Sequence, residues 1–189
     1  MYRKLRSRAH FSALLVAILM LSVLASIDLA SAQTTGPQLR VPKLKVRAAA
    51  SGLVTPTSIA FLGDNDFFVT EKSTGKVQRV MNGAVQSTVL DLAVNSGSER
   101  GLLGIALHPN FPNNPGVYLY WTESSTGADT TNLLETPILG NRVDRFVWDG
   151  TSLTFEKNLI RLRALQTEGA AQGQPVRGNH DGGVIAFGP

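Results

Sequence analysis

The sequence predicts an all-β protein, and two features of the chain support this. From Val54 onward, short apolar runs alternate with turn residues, at about one turn every ten residues. After residue 32, no stretch keeps an apolar 3.6-residue period over three helical turns. The nearest candidate for a helix, residues 158–167, is short and carries two arginines. We therefore expect antiparallel strands joined by tight turns.

The first group of strands is defined by its turns. Residues 63–66 and 72–75 are rich in turn-forming side chains, and Asn82-Gly83 is a strong hairpin dipeptide. These turns separate four predicted strands, at residues 58–62, 67–71, 76–81 and 84–92. Four antiparallel strands in about 35 residues match the size of one β-propeller blade.

A second group of strands follows the same order. Its predicted strands are residues 102–107, 117–122, 142–148 and 153–159. A polar loop, residues 124–140, separates the second and third strands, and Asp149-Gly150 predicts a hairpin turn between the third and fourth. Residues 183–187 are predicted to begin a third group.

A short repeat marks the first strand of each group. Ile59-Ala60-Phe61 and Ile105-Ala106-Leu107 are 46 residues apart, and Ile185-Ala186-Phe187 follows the second copy by 80 residues. The first interval fits one blade, and the second fits if residues 123–140 and 163–181 are insertions. A small residue in each copy suits an innermost strand beside a crowded central channel. Chance recurrence of common residues is the alternative explanation.

The sequence thus predicts about two propeller blades and the start of a third. Propellers typically close with about four to eight blades, and an open arc leaves sheet edges uncovered. We therefore expect this chain to be the N-terminal part of a longer protein. The alternative is a small two-sheet sandwich of about 135 residues.

Residues 1–32 have the layout of a secretory signal peptide. Four basic residues precede an apolar run at residues 13–21, and Ala30-Ser31-Ala32 forms a small-residue cleavage site. An uncleaved membrane anchor is the alternative, although polar residues interrupt the run well short of the roughly 20 residues needed to span a bilayer. We expect residues 33–50 to form an extended lead-in and residues 51–189 to form the propeller part.

Composition narrows the classes of function. The chain has no cysteine, which excludes disulfides, thiol catalysis and Cys-ligated metals. Without residues 1–32 it keeps 14 basic and 13 acidic side chains, so its net charge gives no reason to expect nucleic acid or an anionic membrane as partner. We expect an exported protein, periplasmic or secreted, without stable membrane association after cleavage.

His180 is the candidate catalytic residue. It lies in Gly178-Asn179-His180-Asp181-Gly182-Gly183, directly before the third predicted group. A loop that enters an innermost strand opens onto a mouth of the channel, and an imidazole there can accept a proton near neutral pH. The alternatives are an ordinary Asn/Asp/Gly turn and, less well supported, a metal ligand. For His108, beside Pro109, we expect only a histidine that hydrogen-bonds to the backbone of a tight turn.

Glu99 occupies the equivalent loop of the second group. It precedes Arg100-Gly101-Leu102-Leu103-Gly104, so both loops are predicted to face one cavity. Pairing of Glu99 with Arg100 or another surface charge is the alternative. The sequence has no Walker loop, dinucleotide-binding glycine pattern, nucleophile elbow, zinc-protease histidine pair or EF-hand spacing.

Several segments together resemble the glucose/sorbosone dehydrogenase family. The resemblance covers roughly residues 50–189 and is carried by three groups of residues. These are Pro56-Thr57-Ser58-Ile59-Ala60-Phe61 with the segments 69–72 and 75–77, the segment 99–111 from Glu99 through Gly104 to His108-Pro109-Asn110-Phe111 with Val117-Tyr118-Leu119-Tyr120, and His180-Asp181-Gly182-Gly183 with Ala186-Phe187-Gly188-Pro189.

The resemblance implies an exported six-bladed propeller that depends on pyrroloquinoline quinone (PQQ) and calcium. Such enzymes oxidise an aldose at its anomeric carbon to the lactone, with hydride transfer to the quinone, and pass electrons to a cytochrome or another quinone. In the family, the histidine matching His180 is the general base. Glu99 stands where the glucose-specific branch has a substrate-contacting glutamine, so the resemblance makes Glu99 the candidate substrate-binding residue and suggests a broader aldose range than glucose.

The family's quinone contacts and calcium ligands come mostly from later blades. We therefore expect no metal site in this part of the propeller, and no activity from these residues alone. Two other functions remain open. One is an exported propeller that binds a ligand or partner without redox chemistry, and the other is a hydrolase or lactonase, which would need several channel-facing carboxylates around a metal.

Overall fold

The described part of the chain consists of two four-stranded antiparallel sheets. A computed structural model describes residues 40–41, 43–168, 178 and 181–188. The first sheet contains β1 (Pro56–Gly63), β2 (Asp66–Glu71), β3 (Lys76–Met81) and β4 (Ala84–Asp91). The second contains β5 (Leu102–Leu107), β6 (Gly116–Thr122), β7 (Asn141–Trp148) and β8 (Leu153–Leu162). In both sheets the strands lie side by side in sequence order.

The eight strands predicted for the first two groups are confirmed, with small differences at their ends. The bounds of β3 and β5 are those predicted, and β8 continues three residues beyond the predicted end at residue 159. Asn82 and Gly83 both have positive φ angles, 50° and 84°, as a tight hairpin turn requires. The predicted polar loop 124–140 contains no strand; Thr130 joins Asn95 through an isolated bridge.

The two sheets pack as neighbouring propeller blades. The first strands of the two sheets, β1 and β5, pack against each other, and their last strands, β4 and β8, lie near each other. One apolar core fills the space between the sheets, with Phe68, Leu119 and Phe146 almost fully buried within it. At about 25 cal/mol per Å² of apolar surface buried, such a core is the main source of stability for a chain without disulfides.

The repeat occupies equivalent places in the two blades, and its two faces have different neighbours. Ala60 belongs to the core shared with the second blade, whereas Ile59 faces away and is half exposed. In the second blade the same two positions behave in a consistent way. Ile105 packs into the shared core, and Ala106 faces the opposite side, where it shares a groove with residues 185–187. Each blade therefore turns its alanine toward the next unit and its isoleucine toward the previous one.

The third copy of the repeat lies where a third unit would begin, but it is not a strand. Phe187 packs edge-on against Tyr118 of β6, with ring centroids 4.9 Å apart. Residues 183–187 have no hydrogen-bonded strand partner among the described residues. A strand is defined by such pairing, so the strand predicted there is absent from this part of the structure.

The outermost strands of both sheets are irregular. The pairing of β3 with β4 shifts register twice, and so does the pairing of β7 with β8. Bulges twist a strand and interrupt its row of free backbone groups, which limits edge-to-edge pairing with other chains.

Residues before the first blade lie outside both sheets. Residues 43–50 form no strand, and a short turn joins the amide of Leu44 to the carbonyl of Val41 at 3.1 Å. Across the described ranges no helix is long and apolar enough to cross a membrane. The predicted signal peptide, residues 1–32, lies outside the described residues.

Candidate functional site

The turn that carries Glu99 is held in place by Lys72, from the loop between β2 and β3. The Lys72 ammonium donates hydrogen bonds to the carbonyls of Ser96 and Ser98, each at 2.9 Å. The backbone carbonyl of Lys72 accepts from the amide of Leu102 at 3.1 Å. Both ends of the segment before β5 are therefore attached to the first blade. Glu99 itself is exposed at the tip of this turn.

The next residue, Arg100, is fully buried. Its guanidinium donates to the carbonyl of Leu133 at 2.7 Å and to the carbonyl of Ala164, and its Nε lies 3.4 Å from Oδ2 of Asp181. Burial lowers the pKa of Arg100 from its usual value, and the nearby Asp181 carboxylate opposes that shift. One side chain thus joins the turn at Glu99, the β6–β7 loop, the end of β8 and the segment beginning at residue 181.

Besides Arg100, two further side chains hold Asp181. Its Oδ1 accepts from the side-chain amide of Asn141 at 3.0 Å, and its carbonyl accepts from the hydroxyl of Tyr120. Asn141 also donates to the carbonyl of Arg163 at 2.9 Å and accepts from Thr122 at 2.6 Å. These bonds fix both the backbone and the carboxylate of Asp181.

Glycines allow the two loops to meet. A Cβ at Gly104 would overlap the carbonyl of Gly183, so the β5 strand and the segment at 183 touch backbone to backbone. Gly182 has a φ of 75°, a left-handed conformation that favours glycine. A Cβ at Gly178 would overlap the Arg100 guanidinium. Close approach therefore requires glycine at 104 and 178, and the backbone conformation favours glycine at 182.

A polar cavity of about 420 Å³ lies beside this network. Its described lining includes Tyr120, Asn141, Arg163, Gln166 and Asp181. The volume falls within the roughly 300–1,000 Å³ that is usual for small-molecule sites.

The three sequence-derived residues have different outcomes. Glu99 lies on the exposed turn described above, and His180 lies outside the described residues, directly before Asp181 in the chain. His108 occupies a tight turn, as expected, because its Nδ1 accepts from the amide of Asn110 at 3.1 Å and its own amide donates to the carbonyl of Gly116 at 2.9 Å. The structure joins the two candidate loops through Arg100 and Asp181.

The described residues do not by themselves form a quinone or calcium site. The guanidinium of Arg100 is already committed to two carbonyls and to Asp181, so it cannot also hold an anionic quinone. Among the residues the structure describes, no three acidic or histidine side chains cluster as metal ligands. A complete cofactor site therefore requires residues other than those described.

Arg100, Asn141 and Tyr120 were not predicted as part of this site. Arginine is seldom fully buried, so its position in a loop indicates a surface residue. Asn141 opens β7 and Tyr120 lies within β6, and neither position carries a local signal for a tertiary contact 40 or 61 residues away. In the sequence, the charge of Asp181 is the one signal for this contact, because a buried arginine requires a partner of opposite charge.

The alkaline stability of the protein should depend on Tyr120. Burial raises the pKa of its phenol, and the Asp181 charge raises it further. Tyr120 therefore loses its proton more readily in the unfolded chain than in the folded one. The protonated phenol contributes its full stabilisation below about pH 10, and this contribution is lost as the pH rises through the pKa of Tyr120 in the folded state. We expect Tyr120→Phe to lower the unfolding free energy by about 1–3 kcal/mol at pH 7, and the deficit to narrow above pH 10.

Urea unfolding between pH 7 and 11.5 measures this effect. Tyr118→Phe is the matched control, because that hydroxyl lies on the same strand but contacts Arg145 at 3.2 Å instead of Asp181. An equal alkaline loss in wild type and Tyr120→Phe would contradict the prediction.

The described residues form two stacked four-stranded blades. Two polar loops meet, one before the first strand of the second blade and one before a third unit. This arrangement defines a β-propeller protein with a candidate ligand site at those loops. A sequence profile described as Glucose / Sorbosone dehydrogenase matches residues 53–189. The chain belongs to this family.

Individual relatives agree with the family assignment. Quinoprotein glucose dehydrogenase B of Acinetobacter calcoaceticus is 26% identical over 181 residues, covering 94% of this chain and 35% of that protein. A proposed oxidoreductase (glucose dehydrogenase) from Thermus thermophilus has a solved structure that is 30% identical, covers 77% of this chain and 37% of that one, and matches with a TM-score of 0.58.

A PQQ-bound aldose sugar dehydrogenase from Streptomyces coelicolor is 28% identical, covers 62% of this chain and 33% of that one, and has a TM-score of 0.47. The chain spans about a third of the length of the relatives it matches.

Proposed function

We propose that this chain is part of an exported, PQQ-dependent sugar dehydrogenase that oxidises aldoses at the anomeric carbon to lactones. The observation that carries the proposal is the buried contact between Arg100 and Asp181, 3.4 Å apart, together with the family match. Each of these residues adjoins one of the two candidate site residues in the chain. The contact therefore supports one site formed by the loops of Glu99 and His180.

His180 is proposed as the general base. Its role is to take the proton of the anomeric hydroxyl while the hydride leaves that carbon, so that the carbonyl of the lactone forms. When bound, PQQ would supply the acceptor for this hydride. Positioned proton transfer of this kind contributes about 10²–10⁴-fold to a rate.

Glu99 is proposed to bind the sugar. It is exposed on a turn whose backbone is fixed by Lys72, so its carboxylate is presented from a defined place. The carboxylate of Glu99 accepts hydrogen bonds from sugar hydroxyls, whereas the amide of the glutamine in the glucose-specific branch both accepts and donates them. This difference supports a broader choice of aldose than glucose alone.

The proposed cofactors are PQQ and calcium, and the name of the Acinetobacter relative, a quinoprotein, supports the first. The proposed electron acceptor is a cytochrome or a quinone, and the proposed location is the periplasm or the medium. These proposals concern the full-length protein, to which this chain contributes two blades.

Dye reduction by the full-length protein tests the proposed function. The protein, expressed from its complete reading frame, is incubated with PQQ and Ca²⁺, and the reduction of an artificial dye is followed with a panel of aldoses. We expect dye reduction that requires PQQ, with one lactone formed for each two electrons transferred. Sugar binding without dye reduction would overturn the proposal and would favour a binding propeller. Lactone hydrolysis without PQQ would overturn it in favour of a lactonase.

A further inference from the structure

We infer that the Arg100–Asp181 ion pair is a positioning device that holds the loop of the proposed base against the turn of the proposed sugar-binding residue. This inference rests on the proposed function, because it gives the pair a role in placing His180. The two halves of the pair each adjoin a candidate residue. Arg100 directly follows Glu99, and Asp181 directly follows His180.

Chain geometry limits how far a neighbour of a fixed residue can move. Consecutive Cα atoms are about 3.8 Å apart. Asp181 is held at its carbonyl by Tyr120 and at its carboxylate by Asn141 and Arg100. Residue 181 is therefore fixed at backbone and side chain, and one peptide bond joins it to the proposed base.

Arg100 is suited to this task because its fork reaches three segments at once. Two of its nitrogens donate to the carbonyls of Leu133 and Ala164, and the third faces Asp181. A lysine would offer a single flexible ammonium in place of this planar arrangement. The relative positions of three loops thus depend on one side chain.

The ion pair is better explained by placement than by stability. A buried ion pair often contributes no more stability than apolar residues of the same volume. The side chains of Arg100 and Asp181 are 0% and 5% exposed, and Arg100 Nε and Asp181 Oδ2 make no hydrogen bond among the described residues. Their attraction depends on opposed charges staying close, so it favours one arrangement of the loops.

The test uses the full-length protein with PQQ and Ca²⁺, and three variants: Asp181→Asn, Arg100→Met and the double variant. Asp181→Asn is nearly isosteric and removes only the charge, so it carries the test if Arg100→Met fails to fold. Arg79→Met is the matched control, since it breaks an arginine pair with Asp66, at 2.7 Å, within the first blade.

Two quantities are measured. The first is kcat for each bound PQQ, which a loss of folded protein alone leaves unchanged. The second is the NMR signal of the His180 imidazole, assigned with His180→Asn, which needs no activity. We expect each single variant to lower kcat about 10- to 100-fold and to shift the His180 signal. The double variant should be no worse than the poorer single variant, and Arg79→Met should change neither quantity.

The result separates the inference from the proposed function. If His180→Asn abolishes activity but the pair variants keep wild-type kcat and an unmoved His180 signal, the inference is overturned and the proposed function stands. If wild type oxidises no aldose, or His180→Asn keeps full activity, the proposed function is wrong. In that case a shift of the His180 signal in Arg100→Met, which does not adjoin His180 in the chain, still supports positioning by the pair, and an unchanged signal overturns it.

Discussion

Replacing His180 with alanine is expected to lower kcat for aldose oxidation by about 10²–10⁴-fold in the full-length, PQQ-loaded protein. The proton of the anomeric hydroxyl would then have to pass to water, which is not positioned to take it. Binding of PQQ should persist, because the variant removes the proposed proton acceptor and none of the charged side chains that stabilise the fold. The measurements are kcat from dye reduction and the amount of PQQ bound.

His108→Ala is the matched control for this variant. His108 lies in a turn where its Nδ1 accepts a backbone hydrogen bond and its ring packs on Phe187, with centroids 5.8 Å apart. Its loss should reduce stability slightly and leave kcat for each bound PQQ unchanged. Wild-type kcat in His180→Ala, or an equal loss in both variants, would show that His180 is not the base.

Phe68→Ala is expected to lower the free energy of unfolding by about 3–5 kcal/mol. Phe68 is 0% exposed, belongs to the core between the two blades, and packs edge-on against Trp148 of the second blade at 5.0 Å between ring centroids. Alanine would leave a cavity in this core and remove the aromatic contact between the blades. The shift in urea midpoint at constant m-value measures the loss.

Phe61→Ala provides the comparison from the same sheet. Phe61 is 66% exposed on the face of the first blade that is turned away from the second. Its ring contacts Phe67 with centroids 5.6 Å apart, so its removal should change the unfolding free energy by about 0.5 kcal/mol or less. Equal losses in the two variants would contradict a shared core between the blades. The comparison is made on this chain by itself, in which Phe61 is exposed.

The sequence was sufficient to predict the strands because their signals are local. Asn82-Gly83 and Asp149-Gly150 lie between strands that pair directly in the structure, and β3 and β5 begin and end at the predicted residues. Residues 183–187 have the same apolar pattern, yet they form no strand in the described part of the chain. Alternation of apolar and polar side chains indicates which face of a segment can be buried, whereas a β-strand also requires a neighbouring strand with which to form hydrogen bonds.

The candidate site was only partly predictable, for a related reason. Glu99 and His180 are predictable as candidates because each precedes a repeated strand, which is a property of the sequence itself. The contact between Arg100 and Asp181 joins residues 81 positions apart and depends on how a blade and the next unit stack. No pattern within either loop encodes that distance, so the network became visible only in three dimensions.

The unlike faces of the two blades have a consequence for assembly. Ala106 lies on the side toward the next unit and Ile105 on the side toward the previous one. The face that contacts the next unit therefore differs from the face that contacts the previous unit. Contacts between such units are heterologous and run head to tail. Repetition of a head-to-tail contact closes into a ring when the rotation per unit divides a full circle, and otherwise extends as an open array. In both blades the small residue of the Ile-Ala pair lies on the face that contacts the next unit.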